Sequence, residues 1–138
     1  MELTLTSERK NIPAVIALVE RELDRMGCPR RTKMQIDIAV DEVFGNIAAY
    51  AYGEGIGPVT VRIEEGETPG AAAISFLDEG RPFNPLEHED PDVSLSARER
   101  SIGGLGIYMV KKSMDGVRYE YRDGKNVLTI WKTLQRQE

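Results

Sequence analysis

Ile36-Asp-Ile-Ala-Val-Asp-Glu-Val-Phe-Gly-Asn46 is the stretch on which the rest of the chain turns. Ile36, Val40, Val43, Phe44 and, just beyond, Ile47 recur at helical spacing and mark a buried stripe. Glu42 and Asn46, four residues apart, then project side by side from another face of the same helix. A carboxylate beside an amide suits two tasks. The amide oxygen can ligate Mg²⁺, a hard cation that keeps several waters when it accompanies phosphates. The carboxylate can take a proton from an attacking hydroxyl or water. A solvated polar helix face would show the same two residues, so their neighbours in the sequence have to decide.

Two later segments supply that context. The apolar run Ala71–Leu77 reads as a strand, and Asp78-Glu-Gly-Arg-Pro-Phe83 follows it directly. A carboxylate at Asp78 can accept a hydrogen bond from the amino group of adenine, and Gly80 lets the backbone approach a ligand closely. Asp and Gly are also favoured turn residues, so this signal alone is weak. Gly103-Gly104-Leu105-Gly106 then precedes Ile107, Met109, Val110 and Met114, which continue as a helix with a buried face. Glycines before a helix leave N–H groups free to face phosphate oxygens, and the helix dipole adds to the attraction. The spacing fits neither a Walker A loop nor a dinucleotide-binding fingerprint. Acid and amide, then acid and glycine, then a glycine cluster, in that order, describe a nucleotide pocket.

The remaining segments sort into an α/β, two-layer sandwich: one mixed sheet with helices on a single face. Glu2 to Thr6 alternates as a strand, and Ser7 can cap a helix from about Arg9 to Met26, which Gly27 and Pro29 end. The motif helix runs from about Arg30 to Ala51. Pro58 to Glu65 and Ala71 to Leu77 read as a hairpin. Val117 to Arg122 and Asn126 to Leu134 read as another, joined through Asp123-Gly124, a strong two-residue turn signal. Residues 84–102, with Pro85, Pro91 and an acidic cluster, keep no period and read as a lid over the phosphates.

With 138 residues, a hydrophobic content of 41% and a charged content of 30%, the expectation is one domain, 1–138, of ordinary globular character. A net charge of −5 argues against nucleic acid or an anionic membrane as partner. The single cysteine, Cys28, excludes an internal disulfide and suits the cytoplasm. His88 is the only histidine and lies in a proline-broken acidic stretch, so a phosphoaccepting histidine on a dimerising helix is not expected.

Glu-x-x-x-Asn on a helix, Asp-x-Gly-x-Pro-Phe after a strand and Gly-Gly-Leu-Gly before a helix resemble the N, G1 and G2 boxes of the GHKL (Bergerat-fold) ATPases. The run from Gly103 to Asp115 and the compact size look like the anti-sigma-factor serine kinases of RsbW type. That resemblance implies a general base at Glu42, a magnesium ligand at Asn46, and an adenine-reading carboxylate at Asp78 with Gly80 beside the base. It implies phosphate-facing backbone at Gly103, Gly104, Leu105 and Gly106, and at Thr129 a hydroxyl supporting the adenine contact through water. Tyr50 stands where the family often has a histidine. ATP or ADP and Mg²⁺ are the implied ligands. A STAS-type antagonist protein, a sigma factor and a second copy in a homodimer are the implied partners. The implied activity is phosphorylation of the antagonist. A nucleotide-dependent module that sequesters a regulator without phosphotransfer is the alternative.

Arg98 and Arg100 are the lid residues able to grip a terminal phosphate, since guanidinium matches phosphate oxygens well. Replacing the gripping arginine by Ala should weaken ATP relative to ADP, measured as the ratio of the two dissociation constants. A ratio unchanged in both variants would make them surface charges.

Overall fold

The computed structural model describes residues 1–87 and 104–134. Its elements, in chain order, are β1 (Glu2–Thr6), α1 (Ile12–Arg25), α2 (Arg30–Tyr50), β2 (Pro58–Glu65), β3 (Ala71–Asp78), α3 (Gly104–Ser113), β4 (Gly116–Arg122) and β5 (Lys125–Thr133). Short 3₁₀ turns occupy Arg9–Asn11 and Pro85–Glu87. The expected lid and both its arginines, together with Gly103, fall almost wholly outside the described residues.

The strands form one five-stranded sheet in the order β1-β2-β3-β5-β4. Alternation along each strand divides it cleanly into two faces. Val59, Val61 and Ile63 of β2, Ala72, Ile74 and Phe76 of β3, and Leu128 and Ile130 of β5 are buried together with the apolar stripes of the helices. Val15, Val19 and Leu23 of α1 and Ile36, Val40, Val43 and Phe44 of α2 complete that core. The opposite face carries hydroxyl ladders instead: Thr4 and Thr60 lie 2.9 Å apart through their hydroxyls, as do Ser75 and Thr129. The helices therefore cover one face only, as the sequence pattern predicts.

Two expectations need correction. The sheet is not mixed: all four neighbouring pairs of strands are antiparallel. β3 and β4 do run the same way, joined across α3, but the β4–β5 hairpin returns β5 into the gap between them. Asp123 at φ 55° and Gly124 at φ 77° form the tight turn that does this. Ser7, in turn, does not cap a helix. Its hydroxyl accepts from Gly57 N–H at 3.1 Å and its own N–H donates to the Gly57 carbonyl at 2.9 Å, tying β1 to the segment before β2. α1 begins only at Ile12, after the 3₁₀ turn.

The α1–α2 contact holds one anomalous polar group. Asp37 Oδ1 on α2 is buried with no hydrogen-bond partner among the described residues. Burial, and next the Glu20 carboxyl of α1 against it, push Asp37 up to about 7, with Asp24 adding to the rise and Lys33 opposing it. Lys33 is drawn toward Asp24, 3.0 Å away, rather than onto Asp37. A proton on Asp37 removes both the cost of a buried charge and the repulsion from Glu20. Folded protein thus holds a proton that the unfolded chain releases near pH 4. The contribution is full below that value and lost as pH rises through about 7. Asp37→Asn should raise the melting temperature at pH 8 by about 3 °C, the scale of ~1 kcal/mol. The gain should shrink as pH falls toward 5. An equal gain at both ends would trace to something other than the ionised pair.

Candidate functional site

Asp78 is the last residue of β3, a strand paired on both sides, and it falls in phase with the inward-facing Ile74 and Phe76. Its carboxylate is consequently carried into the interior, leaving the residue 4% exposed. A buried carboxylate without partners would be costly. Here Oδ1 accepts from Gly80 N–H and from Asn126 Nδ2, each at 2.9 Å. Burial still pushes the Asp78 carboxyl above the usual carboxylate range, while these two hydrogen bonds pull the other way.

Asp78 and Asn126 stand directly opposite each other in the β3–β5 register. Both line a cavity of about 450 Å³, counting its open mouth, between the C-terminal half of α2, the sheet and the start of α3. Val43, Ile47, Ile107 and Leu128 give it apolar walls, and Asn46 points an amide into it from α2. Ile47 is only half-buried because it faces this space. Tyr50 and Phe83 stand at the mouth, ring centroids 6.3 Å apart and planes tilted by 35°. A flat apolar cleft with one buried carboxylate at its end fits a planar heterocycle that brings an N–H donor.

Gly80 and Gly106 are held by contact rather than by unusual dihedral angles. A Cβ on Gly80 would lie 2.2 Å from the Ala51 carbonyl oxygen, so only glycine lets the turn after β3 meet the end of α2. Arg81 N–H donates to that same oxygen at 3.1 Å. A Cβ on Gly106 would lie 2.1 Å from Glu42 Oε2. The Glu42 carboxylate therefore rests against the first turn of α3, where Gly104 and Leu105 also sit. Helix N-termini favour anions, so phosphate oxygens brought to this turn would be close to Glu42.

Asn46 and Asp78 thus line one cavity, Gly80 packs on the cavity-lining Ala51, and Glu42 meets Gly106 beside the cavity-lining Ile107. Thr129 lies apart from them. Its hydroxyl bonds to Ser75 on the helix-free face of the sheet, away from Asp78. The physical reason is parity: residue 129 is out of phase with the inward-facing Leu128 and Ile130. Asn126, in phase with both, meets Asp78 instead, and Tyr119 reaches it from β4. The alternation of β5 contains that signal. Gly103 and Arg100 lie outside the described residues.

The histidine kinase-like ATPase domain model matches residues 5–132, nearly the whole chain. The chain belongs to that family. Serine/threonine-protein kinase BtrW of Bordetella bronchiseptica is 25% identical over 100 residues, 72% of this chain and 70% of BtrW. Serine-protein kinase RsbW of Bacillus mycoides is 23% identical over 142 residues, covering 100% of this chain and 87% of that one. The fold is shared with the structure of the RsbU and RsbW domains of Rv1364c from Mycobacterium tuberculosis, at a TM-score of 0.65 and 17% identity. The match covers 99% of this chain but about a third of that longer one, 33%. The catalytic domain of histidine kinase ThkA superposes with a TM-score of 0.51 at 14% identity. Membership of a family of ATPases implies ATP binding. Among the described residues no helix is long and apolar enough to cross a membrane.

Gly80→Ala should cost stability outright, roughly 1–3 kcal/mol, because its Cβ meets fixed backbone. Gly106→Ala meets only the far end of a side chain, so Glu42 swings aside and stability changes little. Denaturant midpoints of the two variants test the distinction. Equal losses would mean that α3 cannot accommodate the displaced carboxylate.

Proposed function

We propose that this domain binds ATP with Mg²⁺ and transfers the terminal phosphoryl group to a serine of a small STAS-type antagonist protein, within a partner-switching system that governs a sigma factor. The observation carrying this reading is one apolar cleft lined by Asp78 and Asn46, with Glu42 packed on Gly106 next to the cleft-lining Ile107. The serine as acceptor is supported by the two relatives named as serine kinases. The antagonist and the sigma factor rest on the motif resemblance alone.

The residues divide the work. Asp78 accepts the amino group of the adenine ring, which slides between the apolar walls toward it. Tyr50 and Phe83 shield the ring at the mouth. The start of α3 offers N–H groups to phosphate oxygens. The Asn46 side chain makes no hydrogen bond with the other described residues, and its amide oxygen is free to hold a cation. An oxygen donor of this kind fits Mg²⁺, which takes one or two protein oxygens and completes its shell with phosphates and water. When bound, Mg²⁺ would neutralise phosphate charge. Glu42 then accepts the serine proton as the hydroxyl oxygen bonds to phosphorus and the bond to the ADP oxygen breaks. Little more is demanded of the protein, since such transfer is mostly positioning and electrostatics.

ADP should raise the melting temperature, because it binds the folded state alone. Asp78→Asn should remove most of that shift. Glu42→Ala should leave ADP affinity within a few-fold and lower transfer to the antagonist by about two orders of magnitude. ADP binding without any transfer would leave a nucleotide-dependent binding module in place of a kinase. A shift that survives Asp78→Asn would move the base elsewhere.

A further inference from the structure

The Asn126 side chain is bonded at both ends of its amide, and its partners leave no freedom in how it points. Phe83 N–H can only donate, so the Asn126 atom it meets at 3.2 Å is the oxygen. The Arg81 carbonyl can only accept, so the atom 2.9 Å from it is the nitrogen. Amide orientation, often a matter of assignment, is here dictated by backbone. The Tyr119 hydroxyl, reaching across from β4, donates to the same oxygen as Phe83. The remaining N–H of Asn126 is thereby aimed at Asp78 Oδ1.

Oδ1 receives a second N–H from Gly80, so both of its near partners are donors that cannot reverse. A proton on Asp78 would have to sit on Oδ2. That oxygen has no hydrogen-bond partner among the described residues, and Asp78 lines the cavity.

We propose that Asn126 is a positioning residue for base recognition: its locked amide occupies one oxygen of Asp78 and leaves the other as an acceptor turned to the cavity. The site then takes a ring that presents an amino group and rejects one that presents a carbonyl in its place. This rests on the nucleotide reading above and goes beyond it, because it assigns the selectivity to a residue outside the three motifs. The groups around Asp78 make the contribution of Asn126 necessary. Tyr52 after α2, Tyr119 on β4 and the adjacent Glu79 add no positive charge, and burial disfavours the carboxylate. Tyr52 is itself committed, its hydroxyl bridging Glu79 N–H and the Pro58 carbonyl. Arg81 lines the same cavity, but it is Asn126 and Gly80 that donate to the carboxylate.

The test is ADP binding by calorimetry from pH 6 to 8.5, in the full chain and in Asn126→Asp. That near-isosteric change sets a second carboxyl against Asp78, and two carboxyls sharing a site hold one proton well above the ordinary range. At pH 6 the shared proton restores the lost donor, so the variant should bind within about threefold of wild type. As that proton leaves, by pH 8.5, affinity relative to wild type at the same pH should fall by about tenfold or more. A residue that merely supported the fold would weaken binding equally at every pH, and parallel profiles would overturn the proposal. Should Asn126→Asp fail to fold, Tyr119→Phe keeps the amide but removes one of its two fixed donors. The ratio of ADP to inosine diphosphate affinity should then drop by about threefold, and an unchanged ratio would count against the lock. Absence of ADP binding by wild type would defeat the nucleotide reading itself. Parallel profiles in a wild type that binds ADP defeat only the role given to Asn126.

Discussion

A carboxylate buried at the end of a central strand is the constraint around which this molecule is arranged. Asp78 cannot stay charged in the interior without donors, and each donor fixes a different part of the chain. Gly80 N–H requires the backbone to turn at once after β3. Asn126 requires β5 to lie beside β3 in one register. The same Asn126 grips the Arg81 carbonyl and the Phe83 N–H, so the segment leaving the sheet is drawn across the cleft. Gly80 against Ala51 joins this knot to the end of α2, the helix that carries Glu42 and Asn46. Local turn chemistry, strand pairing and the placement of α2 are thus one linked set of hydrogen bonds and close contacts.

Much of this was readable beforehand because it is written in periodicities. The helical stripe of Ile36, Val40, Val43 and Phe44 is buried as expected, and the Asp123-Gly124 turn is where the alternation stops. Glu42 and Asn46 lie on the helix that the spacing describes. What the sequence did not reveal depends on which strand lies beside which. Nothing local says that β5 inserts between β3 and β4, so a sheet expected to be mixed is antiparallel throughout. The position of Thr129 follows from alternation. Leu128 and Ile130 face the core, so a hydroxyl between them has to face outward, where it meets Ser75. Asn126 went unnoticed because an asparagine near a hairpin turn ordinarily reads as turn chemistry. Only the Asp78–Asn126 pairing across the ladder shows otherwise.

The two halves of the site also differ in kind. The Asp78 end is built from strand termini and backbone groups, with Asn126 tied to Asp78 on β3 and to the Arg81 and Phe83 backbone just after it. The Glu42 end depends on α3, whose first turn touches α2 through a glycine and the tip of a carboxylate. One end is rigid by covalent and ladder geometry. The other is held by a contact that a single torsion of Glu42 can alter.

The pairing of Asp78 with Asn126 has a consequence for how errors in assembly announce themselves. In a ladder, a slip of one residue turns every side chain to the opposite face. Such a slip of β5 would bring Thr129 and Trp131 inward and carry the Asn126 amide out to solvent. The sheet would still look like a sheet to circular dichroism, yet Asp78 would be stranded without its donor. Binding in the Asp78 cleft would therefore also report on strand register, and so catch a misalignment that spectroscopic measures of secondary structure would pass over.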